Sequence, residues 1–277
     1  MTRRDFLKLS LAGAGAAFGW GAYHLGWERF DIRLVRRRLA VPGLPPELEG
    51  IKVAHLSDFH AGRYTPWALT EKAVSLATQA RADIVFLTGD YVSLPRGQGH
   101  EELALNFQAL SAPYGVWAVL GNHDCIFDRH APVSAGLADA RVTVLNNASA
   151  CVEIRGREVW IVGVDDPVTG HADFEKAMAG VPSDATKILL AHTPDAVDSA
   201  SALGFNALFA GHTHGGQVVI PFLGPPLVPC KYGKRFASGA IRFRDTAVHV
   251  TRGVGMVPPL VRFCCPPEVA LVTLVPA

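Results

Sequence analysis

Aspartate, histidine and asparagine gather at five places in this chain, in types that suit one chemistry. The blocks are Asp58-Phe59-His60, Gly89-Asp90, Gly121-Asn122-His123-Asp124, His192 and Gly211-His212-Thr213-His214. Five of the eleven histidines fall within them. Carboxylate, imidazole and one amide oxygen suit a divalent ion of intermediate hardness: Mn²⁺, Fe or Zn²⁺. The one thiol beside them is Cys125, so a structural zinc–thiolate site is not expected. Asp58, His60, Asp90, Asn122, His192, His212 and His214 are the candidate ligands. They are too many for one ion and enough for two ions sharing a carboxylate. Two such ions clamp the attacking and leaving oxygens of a phosphoryl displacement. Asp58-x-His60 or His192 taken alone reads more simply as a hydrogen-bonded loop residue; the joint placement carries the signal.

Each block ends an apolar run of strand length. Residues 51–57 run into Asp58, 83–88 into Gly89-Asp90, 115–120 into Gly121, 188–191 into His192 and 207–210 into Gly211. Another run, 159–164, ends at Asp165-Asp166. Between them the spacing predicts helices over 66–81, 101–110, 130–140, 171–179 and 195–202, and a short strand at 142–145. The first helix has Thr65 as its N-cap and Pro66 at its first position. Strands alternating with helices mean an α/β fold. Ligand sites in open α/β sheets lie beyond the carboxyl ends of the strands, so the five blocks are expected to share one crevice. From Gln217 onward the pattern is mostly β, at 218–220, 240–243, 247–251 and 269–275, and reads as antiparallel. A basic, alternating stretch (32–41) and a Pro-rich turn precede the first block.

The 277 residues are 49% hydrophobic and 18% charged, which suits a globular chain and excludes a disordered, collagen-like or coiled-coil one. A net charge of +1 argues against a protein built to coat nucleic acid, and no specific nucleic-acid partner is expected. Five cysteines are too few for a disulfide scaffold. The neighbours Cys264 and Cys265 would close only a strained bridge, and most of the five read as small buried side chains. No repeat, linker or composition break interrupts residues 31–277, which read as one domain.

In order and type, the five blocks resemble the calcineurin-like metallophosphoesterase superfamily over about residues 50–220. That resemblance implies a four-layer α/β/β/α sandwich. It implies one metal held by Asp58, His60 and His214, a second held by Asn122, His192 and His212, and Asp90 bridging them. It further implies that His123 binds no metal and faces the substrate phosphate, with Asp124 orienting its ring. The fourth residue of that block is Asp where many members have Glu; either carboxylate can accept an imidazole N–H. The implied reaction is in-line attack of a hydroxide held between two ions on a phosphodiester, a phosphomonoester or a pyrophosphate. The run Gly211 to Gln217, with the N-terminus, is similar to a bacterial, membrane-associated phosphodiesterase branch exported by the twin-arginine route. That branch includes enzymes that hydrolyse the pyrophosphate of UDP-2,3-diacylglucosamine, so a lipid-linked substrate is an alternative. An exported, non-catalytic metal or redox protein would need a soft Cys/Met site, which the blocks lack. A pure binding module would have no need of His123.

Residues 1–30 read as an address rather than part of the fold. Arg3, Arg4 and Lys8 precede an uncharged run from Leu9 to Trp27, the layout of a bacterial export signal. The arginine pair before Phe6-Leu7 resembles the twin-arginine signal, so the export machinery is an expected partner. Small-x-small cleavage candidates lie at 15–17 and 19–21. The 19-residue run, with Trp20, Tyr23 and Trp27 at its far end, favours a retained membrane anchor with the domain outside. Elsewhere, His55 reads as a packed core histidine and Arg63 as a solvated loop residue. Arg252 lies in a Gly-rich loop near the site. Arg33, Arg36, Arg37 and Arg38 read equally as a solvated strand edge or a contact for anionic headgroups.

Overall fold

Apolar residues alternate so that central strands are buried on both faces, and this alternation builds the layers. The computed structural model describes residues 2–93, 99–126 and 130–277. One six-stranded sheet runs in the order β1 (Arg33–Val41), β14 (Glu268–Pro276), β2 (Lys52–Leu56), β4 (Ile84–Thr88), β6 (Val116–Val119), β7 (Thr143–Val144). The strands β2, β4, β6 and β7 are parallel; β14 is antiparallel to β2 and parallel to β1. A second sheet runs β12 (Gly239–Phe243), β13 (Thr246–Val250), β11 (Ala207–Ala210), β10 (Thr186–Leu190), β9 (Arg157–Gly163), β8 (Ala148–Ile154). Its four central strands are parallel and its two edge strands antiparallel. Two short strands, β3 (Ala61–Gly62) and β5 (Val92–Ser93), pair beside the first sheet.

Three apolar layers separate these elements. Ala54, Leu56, Val85 and Leu87 pack with Ala73 and Val74 of α2 (Trp67–Gln79), Leu103 of α3 (His100–Phe107) and Leu137 of α5 (His130–Asp139). The residues between them in sequence turn the other way. Val53, Ile84 and Phe86 meet Ile188, Leu190, Ala207 and Phe209 of the second sheet. Phe86 and Phe209 lie edge to face with ring centroids 5.0 Å apart; burying each contributes about 1.5–3 kcal/mol. Leu189, Leu208 and Ala210 face Val197 and Ala200 of α7 (Val197–Ala202) and Phe236. Helix, sheet, sheet, helix is the four-layer α/β/β/α arrangement that the resemblance implied. The remaining α-helices among the described residues are α1 (Arg3–Ala22), the single turn α4 (Asn122–Cys125) and α6 (Phe174–Ala177).

Several local expectations need correction. Thr65 is not the cap of α2: its hydroxyl accepts the Met256 N–H, and Pro66 occupies the cap position. The helix expected over 171–179 shrinks to α6. Residues 218–220 form isolated bridges rather than a strand. The late strands are not a purely antiparallel set, because β13 pairs parallel with β11, and β14 with β1. Strand β8 went unread because Ala, Ser and Cys carry little β preference. Its signal was Arg155-Gly156, where both residues have positive φ (50° and 79°), as a two-residue hairpin turn to β9 requires. The cysteines are all free, and Cys265 alone is buried.

The N-terminal segment is helical but different from expectation. No described helix is long and apolar enough to cross a membrane. The uncharged run 9–27 is rich in Gly and Ala, which offer little apolar surface. Both cleavage candidates lie within α1. From the last turn of α1 onward the chain docks on the two-sheet body rather than standing apart. Trp20 and His24 pack on Phe263, Arg29 Nη1 donates to the Leu260 carbonyl at 2.8 Å, and Glu28 is buried against His24.

Candidate active site

All five blocks leave the carboxyl ends of parallel strands: β2, β4 and β6 in one sheet, β10 and β11 in the other. The departures are tight. Asp58, His60, Asp90, His212 and His214 take φ of 53°, 46°, 56°, 70° and 51°. The left-handed region costs a residue with a Cβ about 1–2 kcal/mol, and such strain clusters at functional sites. Two glycines make the packing possible. A Cβ at Gly121 would overlap the Asp90 carboxylate, and one at Gly211 would overlap the Asp58 carboxylate and the Ser57 hydroxyl.

The structure brings all seven candidate ligands together in two adjoining groups. In the first, His60 Nε2 lies 3.1 Å from His214 Nε2, and His214 Nε2 lies 3.6 Å from Asp58 Oδ1. In the second, His212 Nδ1 lies 3.1 Å from Asn122 Oδ1 and 3.2 Å from His192 Nε2. Asp90 stands between them: its Oδ2 is 3.4 Å from His60 Nε2 and 3.2 Å from His192 Nε2. The groups are tied to each other through the backbone too, since the His212 N–H donates to both Asp58 oxygens at 3.0 Å.

Neighbours fix how these rings point. His192 Nδ1 donates to the Thr88 carbonyl at 2.7 Å, and His60 Nδ1 meets the Ser93 hydroxyl at 3.1 Å. Such second partners set the tautomer of a metal-binding histidine. With Nδ1 committed, His192 Nε2 faces the Asp90 carboxylate and needs either a second proton or a cation there. Electrostatics agree. Burial lowers the His192 pKa, but the charge and hydrogen bond of Asp90, with Asp58, raise it to about 10. Burial would raise Asp90, yet His192 and His60 hold it well below the usual carboxylate range. Burial pushes His60 down to about 3 and His212 to about 4, and holds His214 well below its ordinary value. Burial, with Asp90, lifts Asp58 to about 6. Three neutral imidazoles beside a carboxylate that demands positive charge are a donor set suited to divalent metal. The Nδ1 of His214 is buried and has no hydrogen-bond partner among the described residues.

His123 is half-buried, and a ring nitrogen of it lies within 4.8 Å of ligand atoms of His60 and Asp90. Its N–H donates to Asp90 Oδ1 at 2.8 Å, and its ring stands edge-on to His60 with centroids 4.7 Å apart. Asp124 does not orient that ring. Its carboxylate accepts the N–H groups of Asp90 (2.7 Å), Tyr91 (2.9 Å) and Gly121 (3.0 Å). The two residues are neighbours on the single turn α4, and side chains one apart on a helix diverge. Asp124 therefore holds the Asp90 loop.

One residue unread in the sequence, Arg262, supports the cluster. Arg262 is fully buried, and its guanidinium donates to the carbonyls of Gly255 (2.6 Å), Arg252 (2.8 Å) and Cys265 (3.1 Å), with His214 O at 3.5 Å. Arg63 lies over the Tyr64 ring. Arg252 pairs with Glu268 at 3.7 Å. His55 is a core histidine as expected, bonded to Thr88 Oγ1 and His249 at 2.9 Å each.

A two-sheet sandwich with clustered Asp, His and Asn at its strand ends defines a metal-binding hydrolase. The family described as calcineurin-like phosphoesterase matches residues 51–216, and the chain belongs to that family. Divalent metals are the family's usual cofactor, and the ligand groups for them are assembled here. Among relatives, phosphodiesterase YaeI of Escherichia coli (strain K12) is 31% identical over 99% of this chain and 100% of its own length. Uncharacterized metallophosphoesterase YkuE of Bacillus subtilis (strain 168) is 29% identical over 99% and 98%. UDP-2,3-diacylglucosamine pyrophosphatase LpxG of Chlamydia trachomatis is 24% identical over 87% and 88%.

Proposed function

We propose that this chain is a two-metal phosphodiesterase. One observation supports it above all: a single Asp90 oxygen lies 3.4 Å from His60 and 3.2 Å from His192, between two ligand groups. Asp58, His60 and His214 would hold one ion, Asn122, His192 and His212 the other, and Asp90 both. Such ions lower the pKa of bound water and neutralise charge on the phosphoryl oxygens. The chain's own residues supply the rest. Thr88 and Ser93 hold His192 and His60 in ligating orientation. His123, anchored through its N–H and with its ring unbonded among the described residues, can donate a hydrogen bond or proton to the leaving oxygen.

Mn²⁺-reconstituted protein is expected to bind two ions per chain, and Asp90→Asn to lose most of both. A stoichiometry of one or none would sink the two-metal reading. Bis-p-nitrophenyl phosphate, p-nitrophenyl phosphate and UDP-diacylglucosamine then separate the substrate classes. Turnover confined to the last would favour a lipid-linked pyrophosphate, the reading that the LpxG relative supports. We propose export by the twin-arginine route, with the enzyme membrane-anchored or released and its catalytic domain outside the cytoplasm, on the strength of Arg3-Arg4 and the uncharged run that follows.

A further inference from the structure

Large apolar side chains stand in water on one side of the molecule. The segment that follows Gly216-Gln217 loops outward, leaving Ile220, Phe222, Leu223 and Leu227 exposed, Phe222 completely. Leu260 is exposed too, and the residue before it is tied to the root of the loop, since the Gln217 amide donates to the Pro259 carbonyl at 3.1 Å. Contacts make these one surface. Val219 N–H donates to the Phe263 carbonyl at 2.8 Å, and the Phe263 ring packs on Trp20 of α1. The loop is rooted at the metal-ligand cluster, since Gly216 abuts Pro225 and the Leu227 carbonyl, two residues beyond His214.

Cations sit directly behind the apolar tips. Lys234 Nζ donates to the Leu223 carbonyl at 3.0 Å, and Arg29 Nη1 to the Leu260 carbonyl at 2.8 Å. Neither forms an ion pair among the described residues; each is held by a carbonyl. From His212 to Arg244 the chain has five Lys and Arg residues and no Asp or Glu; Lys231 pairs with Asp198 at 2.7 Å and Arg242 with Asp245 at 3.5 Å, and Lys234, Arg235 and Arg244 form no ion pair among the described residues. Apolar tips with Lys and Arg one layer back match the depth order of a bilayer, acyl chains below and phosphates above. We propose that the loop 219–228, with Leu260, seats in the interface of a membrane rich in anionic headgroups and brings the His214 side of the cluster to it. What this means for the substrate, an amphiphilic phosphoester, rests on the phosphoesterase reading; the docking does not.

The test uses the full chain, so α1 contributes equally throughout. Flotation is measured with vesicles of phosphatidylcholine alone and with phosphatidylglycerol added in equal part. Replacing Phe222, Leu223 and Leu227 together by Ser is expected to weaken uptake by the mixed vesicles about tenfold or more. Arg29→Gln with Lys234→Gln is expected to shrink the preference for the anionic vesicles by roughly tenfold. Turnover of soluble bis-p-nitrophenyl phosphate should stay unchanged in both, which also reports intact folding. Uptake by the triple variant equal to the parent's overturns the proposal. So does equal uptake by both vesicle types, or a triple variant that loses only a dimer. A parent that docks in this pattern but hydrolyses no phosphoester leaves the docking standing and removes the phosphoesterase reading.

Discussion

Replacing Arg262 by Met should loosen the site from behind. The guanidinium makes four short bonds, from Nη2 to Gly255 O (2.6 Å) and Arg252 O (2.8 Å), from Nε to Gly255 O (3.1 Å), and from Nη1 to Cys265 O (3.1 Å). A hydrogen bond with one charged partner contributes about 1.5–3 kcal/mol. Desolvating a guanidinium takes back several kcal/mol, and burial accordingly lowers the pKa of Arg262. Removing one partner of such a network typically costs about 3–5 kcal/mol, because the carbonyls are left buried and unpaired. That is a large share of the roughly 5–15 kcal/mol that holds a domain together. The damage should be local as well. The same side chain lies 3.5 Å from the His214 carbonyl, and the loop it ties carries Gly253, packed on the Asp58 side chain. Met is thus expected to weaken Mn²⁺ binding on the Asp58–His60–His214 side more than on the other. Arg262→Lys, which keeps the charge but loses the planar fork, should fall between. Urea unfolding and Mn²⁺ titration of the three proteins check this. A loss under about 1 kcal/mol with unchanged Mn²⁺ binding would refute the reasoning.

Three other outcomes follow from the same geometry. His123→Ala should keep the metal content and lower turnover by about 10²–10⁴-fold, less for a p-nitrophenyl ester than for an alkyl ester; equal losses would make it a stabiliser of phosphoryl charge. The buried His55 and His249 stay neutral, His249 pushed down to about 3 by burial. The unfolded chain takes up protons below about pH 6.5 where the folded chain does not. Their stability is therefore complete above that pH and falls by up to about 1.4 kcal/mol per pH unit for each histidine as pH drops towards 3. His249→Phe should remove one such increment from the slope of unfolding free energy between about pH 6 and 4, and parallel slopes would contradict the assignment. Changing Arg3 and Arg4 to Lys should hold a reporter fused at Ala277 in the cytoplasm; a reporter already cytoplasmic in the parent would exclude export.

The ligand blocks were legible because their signal is local. A run of apolar residues ending in Asp, His or Asn marks the carboxyl end of a strand, and parallel strands deliver those ends to one edge. Asp58, His60, Asp90, Asn122, His192, His212 and His214 could thus be named from order and type, while the four-layer fold followed from the family resemblance that those blocks carry. What stayed hidden depends on partners far away in the chain. Asp124 sits next to His123 in sequence, yet its carboxylate serves N–H groups 33 and 34 residues earlier, at Tyr91 and Asp90. Thr65 looks like a helix cap until the Met256 N–H, 191 residues on, takes its hydroxyl. Arg262 reads as an ordinary surface cation, because no spacing rule announces a buried guanidinium; several loops must first close around it and offer their carbonyls. Periodicity and residue type act over a turn or a strand, and so they reveal which side chains leave the strand ends. A hydrogen bond is satisfied by whichever group the packed chain brings within about 3 Å. Only the tertiary structure could therefore decide which residues hold the site in place.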